Sequence, residues 1–581
     1  VVAGRFLGLV LVVAPALMAQ PFGFNFSQVD AILDQIVTPF NQGVALTITV
    51  EGETVYHRAT GSFDTSRAIR IASASKWLAA ATILTLVDER RLSLDDRVEQ
   101  YLPQFTGEKR SITIRQLLSH TSGLVGDTPC LVSRSMTMAE CVNEIAEEPL
   151  QFLPGTRFAY GNAAMQVAGH IAERVTGKSW NALFWERLGV PLEFRCTRLD
   201  GIGSLENPAV ANGVVSCADD YTHFLLMIVN RGVYKSRRIL SAAAIEEMAR
   251  DQTGGVPIQD TLYAPFANLD PQLPLMRYGL GVWREVVDAA LRPLELSSQG
   301  AFGFSPWVDL QRNLTGVLAV ESSQDAIMQP YLLLKQAIRQ AVPAWTNRSM
   351  LSTNGASFAV EPLAPGTVFT LFGPAIGPAP ERTLVLESGN RIATQVDGLR
   401  VLVGDIAAPL IYSGWGQISA VIPFELAGQQ SATIRVEHNG VAGPNTLIAL
   451  APASPGLFTL ASSGRGQAAA INQDGSVNGA SRPAARGSFL IFYATGLGAM
   501  SPPVATGSIP TTAALAQAPV QVTIGGQPAE VTYAGAAPGL VAGVYQLNVR
   551  VPESAPAGSE IPVVVQVGAA ASPAVVTVAI R

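Results

Sequence analysis

Lysine is nearly absent from this chain. Of 39 basic residues in a length of 581, only five are Lys. Charge of either sign is sparse, at 14% of residues, and the net charge is −6. So weakly basic a surface has no electrostatic footprint for nucleic acid or acidic lipid, and no nucleic-acid partner is expected. Only four Cys occur (Cys130, Cys141, Cys196 and Cys217), none in a C-x-x-C or Cys/His spacing. The five His (His57, His120, His170, His223 and His438) form no ligand spacing either. No metal and no cofactor is therefore expected. There is no P-loop and no G-x-S-x-G, which leaves a nucleotide site and an α/β-hydrolase elbow without support. Past the N-terminal residues no apolar run is long enough to span a bilayer.

The first twenty residues are different. Arg5 gives a small basic start, Phe6 to Met18 an apolar core, and Ala19 a small residue at a cleavage point. Residues 1–19 read as a secretory signal, so the mature chain is expected to be secreted, periplasmic or at the cell surface, with no membrane span after signal removal. Export makes disulfides permissible. Sequence proximity favours Cys130–Cys141 with Cys196–Cys217; the two other pairings stay open.

The length is too great for one core. Composition changes near residue 345: all five Lys, all four Cys and four of the five His precede it. Helix periodicity marks Ser75 to Arg90, Ala163 to Val175, Ala218 to Asn230 and Ala326 to Val342. GVALTITVEGETVYHRATG at 43–61 alternates about a Glu51-Gly52 turn and predicts a hairpin. Further strands are expected near 279 and 315. Strands at both ends with helices between predict one antiparallel sheet closed by the two ends of an α/β (α+β) domain with a helical subdomain, over 24–343. Asp219-Asp220 is expected to cap the helix that follows. After a linker at 344–356, Val, Ile, Gly, Pro and Thr dominate, with turn signals every eight to twelve residues; this predicts all-β sandwich modules.

One of the few lysines lies where burial is expected. In IRIASASKWLAAATILTLVDERR, Lys76 follows Ser73 by three residues and heads a mostly apolar run. On a helix that spacing places both on one face. A Ser hydroxyl needs a neighbouring base before it attacks a carbonyl, and burial lowers a Lys pKa toward the range where it can serve. Ser73 at a helix start also has free N–H groups near a developing oxyanion. The pattern alone would equally describe a first-turn Ser beside a snorkelling Lys. It has company, however. QFLPGTRFAYGN at 151–162 holds Tyr160 and Asn162 in the chain's only Y-x-N, and LLSHTSGL at 117–124 lies between.

IASASK, LLSHTSGL and PGTRFAYGN, in this order, resemble the motifs of the serine β-lactamase/DD-peptidase superfamily, especially its class C β-lactamase and esterase branch. ANGVVSCADDYTHFLLMIVNRG and YGLGVW are similar to stretches of that family too. The resemblance implies an acyl-enzyme hydrolase of esters, β-lactams or D-amino-acid peptides. Ser73 would be the nucleophile, Lys76 its activating partner and Tyr160 the general base and acid, with Asn162 contacting substrate. The third family motif, normally Lys-Thr-Gly or His-x-Gly, aligns with SSQGAFGFSPWVD, leaving Ser298-Gln299-Gly300 without a basic residue. Ser298 and Gly300 would then line the substrate, and the Ala301 N–H would be an oxyanion donor beside that of Ser73. His120 reads as structural.

The C-terminal half repeats itself. APLIYSGWGQISAVIPFELAG at 408–428 parallels AEVTYAGAAPGLVAGVYQLNVRVPESAPAG at 529–558, and APGTVFTLFG at 364–373 parallels ARGSFLIFYATG at 485–496. Two modules, 357–455 and 456–581, are expected. They resemble an Ig-like module that recurs on secreted bacterial proteins, which implies a spacer role or contact with a cell surface or polysaccharide. The rival reading is a non-catalytic binding protein on a degraded hydrolase scaffold.

Overall fold

The computed structural model describes residues 24–37, 42–256, 258, 264–266, 268–269, 273–360, 362–378 and 381–581. The signal-like residues 1–19 lie outside the described residues. Two compact units divide the chain, one of residues 25–342 and one formed chiefly by 343–581.

The first unit carries a seven-stranded antiparallel sheet. In chain order its strands are β1 Gly43–Val50, β2 Glu53–Gly61, β3 Arg277–Tyr278, β4 Trp283–Val287, β5 Pro293–Ser297, β6 Ser305–Asp309 and β7 Leu314–Val320. In space they run β2-β1-β7-β6-β5-β4-β3. The expected hairpin is β1–β2, and β7 lies beside β1 with Val44 opposite Val320. Strands from both ends of this unit therefore meet within the sheet. Helices α1 Ser27–Ile36, α2 Ser75–Asp88, α3 Ile114–Leu118, α4 Met138–Glu147, α5 Ala163–Thr176, α6 Trp180–Phe184, α7 Ala218–Val229, α8 Ala242–Ala249 and α9 Gln324–Ala341 complete the unit. α1 packs on α9, and α7 packs on β7. β1 and β7 are buried at every residue, their threonines included, and Thr49 and Thr315 hydrogen-bond each other across the pair. Among the described residues no helix is long and apolar enough to cross a membrane.

A buried charge cluster ties α9 to the sheet. Lys335 Nζ sits 2.6 Å from Glu285 on β4 and 2.5 Å from Glu295 on β5. Burial alone would raise the Glu295 pKa, but Lys335 and Arg339 hold it below its usual value. Gln299, just past β5, donates to Glu285 Oε2 and to Tyr331. Removing one member of a buried pair leaves an uncompensated charge. Lys335→Met is therefore expected to lower the unfolding free energy by about 3–5 kcal/mol, read as an earlier denaturant midpoint.

The disulfides are Cys130–Cys141 and Cys196–Cys217, the pairing that proximity favours. One expectation fails beside the second bridge. Neither Asp219 nor Asp220 caps α7, whose N-cap is Cys217 with no side-chain bond. Asp220 instead accepts from the backbone N–H groups of Arg195, Cys196 and Thr197 and from the Thr197 hydroxyl. The loop at 195–197 turns its N–H groups toward this carboxylate, which satisfies them in place of a backbone partner. Asp219 meets His57 and Thr65. Cys196, Cys217 and Asp220 also form the one ligand-like cluster among the described residues, but both sulfurs are in the disulfide.

The second unit is built mainly from antiparallel strand pairs. β8 Leu351–Asn354, β9 Val368–Phe372, β11 Leu410–Gly414 and β12 Gln417–Val421 pair in the order β8-β9-β12-β11, while β10 Leu399–Val403 pairs with β13 Ser431–His438, and β13 with β14 Val441–Ala449. Further on, β15 Phe489–Thr495, β16 Val520–Ile524, β17 Gln527–Ala536, β18 Val544–Arg550, β19 Gly558–Val567 and β20 Val576–Ile580 run β15-β18-β17-β16-β19-β20. The stretch expected as a linker, 344–356, is part of this unit. Trp345 is buried, and β8 pairs with β9. Its alternation was too short to stand out in the sequence.

Candidate active site

Ser73 lies on a 3-10 turn, Ala72–Ala74, that leads directly into α2. Residues Ser75 to Leu86 of this helix are buried on every side, so its apolar run has no polar stripe. Lys76 is 0% exposed. Its Nζ stands 3.0 Å from Ser73 Oγ, 2.7 Å from Asn162 Oδ1 and 3.5 Å from the Ala211 carbonyl. Burial brings its pKa down to about 7, partly opposed by the negative charge of Asp127. Ala72, just before Ser73, has φ +43°, a left-handed conformation that costs a non-glycine residue about 1–3 kcal/mol.

Tyr160 and Asn162 come from the loop before α5. The chain at 120–127 holds that loop: the Ala159 N–H donates to the His120 carbonyl, and the Asn162 N–H to the Gly126 carbonyl. This is the physical content of LLSHTSGL, whose residues support the Tyr160 loop from beneath. Lys76 Nζ lies 4.6 Å from the centre of the Tyr160 ring, and Ser73 is close enough to the Tyr160 hydroxyl to lower its pKa. The Tyr160 side chain is partly exposed, and desolvation raises its pKa, against the lowering effect of Ser73. Lys76 is thus in contact with Ser73, Tyr160 and Asn162 at once.

The segment after β5 forms the opposite wall. Ser298 Oγ donates to the Ser73 carbonyl at 3.2 Å. Gly300 lies so close to the turn that a Cβ there would meet the Ile71 carbonyl oxygen at 2.0 Å. Gln299, between them, points the other way into the Lys335 cluster. This alternation places Ser298 and Gly300 toward Ser73. Among the described residues neither the Ser73 N–H nor the Ala301 N–H has a protein acceptor.

Three aromatic neighbours surround Tyr160, of which the sequence reading named only His120, as structural. Trp283 stacks on Tyr160 at 5.4 Å, His120 lies 4.6 Å from it, and Tyr278 lies edge-on at 6.1 Å. His120 is buried, donates to or accepts from the Tyr278 hydroxyl, and has its pKa lowered by burial and by Lys76. It is a neutral wall of the Tyr160 seat. The stretch YGLGVW carried the signal for Tyr278 and Trp283. Its Gly281, at φ +68°, would place a Cβ 2.5 Å from the Lys76 carbonyl oxygen. Asp127 was missed as well; it accepts from Asn162 Nδ2 at 2.6 Å.

An antiparallel sheet closed by strands from both ends of its unit, with these side chains at the root of a helical subdomain, is the architecture of a β-lactamase-like α/β domain. Residues 33–337, more than half the chain, match the sequence profile of the Beta-lactamase family. The chain belongs to that family. It is similar to penicillin-binding protein 4 of Amycolatopsis lactamdurans, 31% identical over 37% of this chain and 66% of that one. It is also similar to esterase EstB of Burkholderia gladioli, 29% identical over 29% of this chain and 50% of that one. The chain thus spans between half and two thirds of the length of these curated relatives. Among solved structures, a candidate β-lactamase from Bacteroides dorei DSM 17855 is 31% identical, with a TM-score of 0.49, over 55% of this chain and 99% of that one.

Proposed function

We propose that the chain is an exported esterase of this family, working through an acyl-enzyme on Ser73. The observation that carries this reading is the seat of Lys76: fully buried, 3.0 Å from Ser73 Oγ, with a pKa near 7. At neutral pH much of Lys76 is uncharged and can take the Ser73 proton as Oγ bonds to the ester carbonyl carbon. The carbonyl electrons move onto oxygen, where the N–H groups of Ser73 and Ala301 receive them. Tyr160, kept protonated by burial, gives its proton to the departing alkoxide as the C–O bond breaks, and regains one from Lys76. Water then enters by the same route, and the acid leaves with Ser73 restored.

An ester is favoured over a β-lactam because no cation stands at position 298. Arg277 does not stand in for it, since it donates to the carbonyls of Leu275 and Met276 and lies 3.9 Å from Asp251. A fluorophosphonate is expected to add to Ser73, shown by intact mass and peptide mapping. The kcat/KM for p-nitrophenyl butyrate is expected to exceed that for nitrocefin by tenfold or more. A folded protein that the fluorophosphonate does not label and that turns over neither substrate would end the enzyme reading.

For the C-terminal half we read two copies of one Ig-like module, 357–455 and 456–581. Phe369 pairs with Ala420 and Leu490 with Val549, registers related by offsets of 121 and 129 residues. Register breaks fall at Leu410/Tyr412 in one and Val531/Tyr533 in the other. In both, the tyrosine ring lies over the glycine two residues on, Gly414 and Gly535. These coincidences support a duplication.

A further inference from the structure

The Asn162 amide is held at both ends. Its oxygen accepts from Lys76 and its nitrogen donates to Asp127. Turning it over would set two donors face to face at Lys76 and two acceptors at Asp127, so its orientation is fixed. Asp127 is exposed, and only one of its oxygens is used by Asn162. Among the described residues no Lys, Arg or His pairs with it. The opposite wall carries the neutral Ser298, and Arg277 is turned to its own backbone and Asp251. The one basic group of the site, Lys76, is buried. Asp127 therefore sets an exposed negative charge directly against the Asn162 amide that touches Lys76.

We propose that Asp127 is the specificity-determining residue of the site, selecting acyl groups that carry a positive charge, such as an ammonium a few bonds from the acyl carbon, over anionic ones. The free carboxylate oxygen receives the cation. An acyl carboxylate at the same place meets like charge with no counter-ion. The inference rests on the acyl-enzyme reading of Ser73. The charge of Asp127 also raises the Lys76 pKa against the effect of burial. The other groups facing Lys76 are Ser73, Tyr160, Asn162, His120 and the Ala211 carbonyl. None of these supplies a second negative charge.

The test uses matched p-nitrophenyl esters of butyrate, 4-(trimethylammonio)butyrate and 4-sulfobutyrate. At low salt the wild-type kcat/KM is expected to be at least about tenfold higher for the cationic than for the anionic ester, and this ratio is expected to shrink in 0.5 M NaCl (about a 4–5 Å screening length). Asp127→Asn keeps an acceptor for Asn162 and removes the charge. It is expected to bring the ratio within about threefold and to move the ascending limb of the pH profile to lower pH. Asp127→Lys is expected to reverse the order. A ratio unchanged in both variants, or a wild type that prefers the anion, overturns the proposal. Acylation of Ser73 by all three esters at equal rates sinks the role of Asp127 alone. Failure of all three to acylate Ser73 sinks the acyl-enzyme reading, and this inference with it.

Discussion

Replacing Lys76 by methionine is expected to lower kcat/KM for p-nitrophenyl butyrate about 10³-fold, or ~4 kcal/mol of transition-state stabilisation. The same change is expected to stabilise the fold at neutral pH. Burial depresses the Lys76 pKa from 10.5 to about 7. Between those values the unfolded chain binds the proton and the folded one does not, so stability falls as pH drops from 10.5 toward 7 and the penalty is complete below 7. A methionine escapes it. Its stabilisation relative to wild type is expected to be about 3 kcal/mol greater at pH 7 than at pH 9.5, at 1.36 kcal/mol per pKa unit. Urea denaturation at the two pH values reads this directly. The lost contacts to Ser73, Asn162 and Ala211 subtract the same amount at both, so they do not alter the difference. A variant that keeps more than a tenth of the activity would remove Lys76 from the chemistry.

Tyr160→Phe separates base from acid. The wild-type kcat/KM is expected to rise with pH through about 7 as Lys76 loses its proton. Burial raises the Tyr160 pKa, so the phenol stays protonated across that range. The phenylalanine variant is expected to lose about 10²–10³ in kcat for want of a proton donor to the leaving group, yet keep the limb near 7. A limb that vanishes in the variant would make Tyr160 the titrating base. A phenyl ester, whose leaving group needs little protonation, is expected to lose less than an alkyl ester.

Much of the site was legible because its signals are local. Ser73 and Lys76 are three residues apart on one turn, and Tyr160 and Asn162 flank one glycine. Helices α2, α5, α7 and α9 begin and end within two residues of their periodicity. What escaped reading depends on contacts between distant segments. Trp283 reaches Tyr160, and Lys335 reaches Glu285, across many intervening residues. Asp220 looked like a cap because it opens a helix. Only the folded loop at 195–197 shows that unpaired backbone N–H groups claim it first. Asp127 carries no motif of its own; its meaning comes from one bond to Asn162.

Gly281 and Gly300 do no chemistry, yet both press backbone against backbone around the Ser73 turn and its helix. Even an alanine at either would push the nucleophile out of line. Asp127, Ala301 and Phe302 are exposed beside the same site and have room to change. Evolvability is therefore unevenly distributed here. A mutant library seeking new substrates should spend its diversity on those three positions and hold the two glycines constant, because the residues that touch nothing reactive are the ones the cleft can least replace.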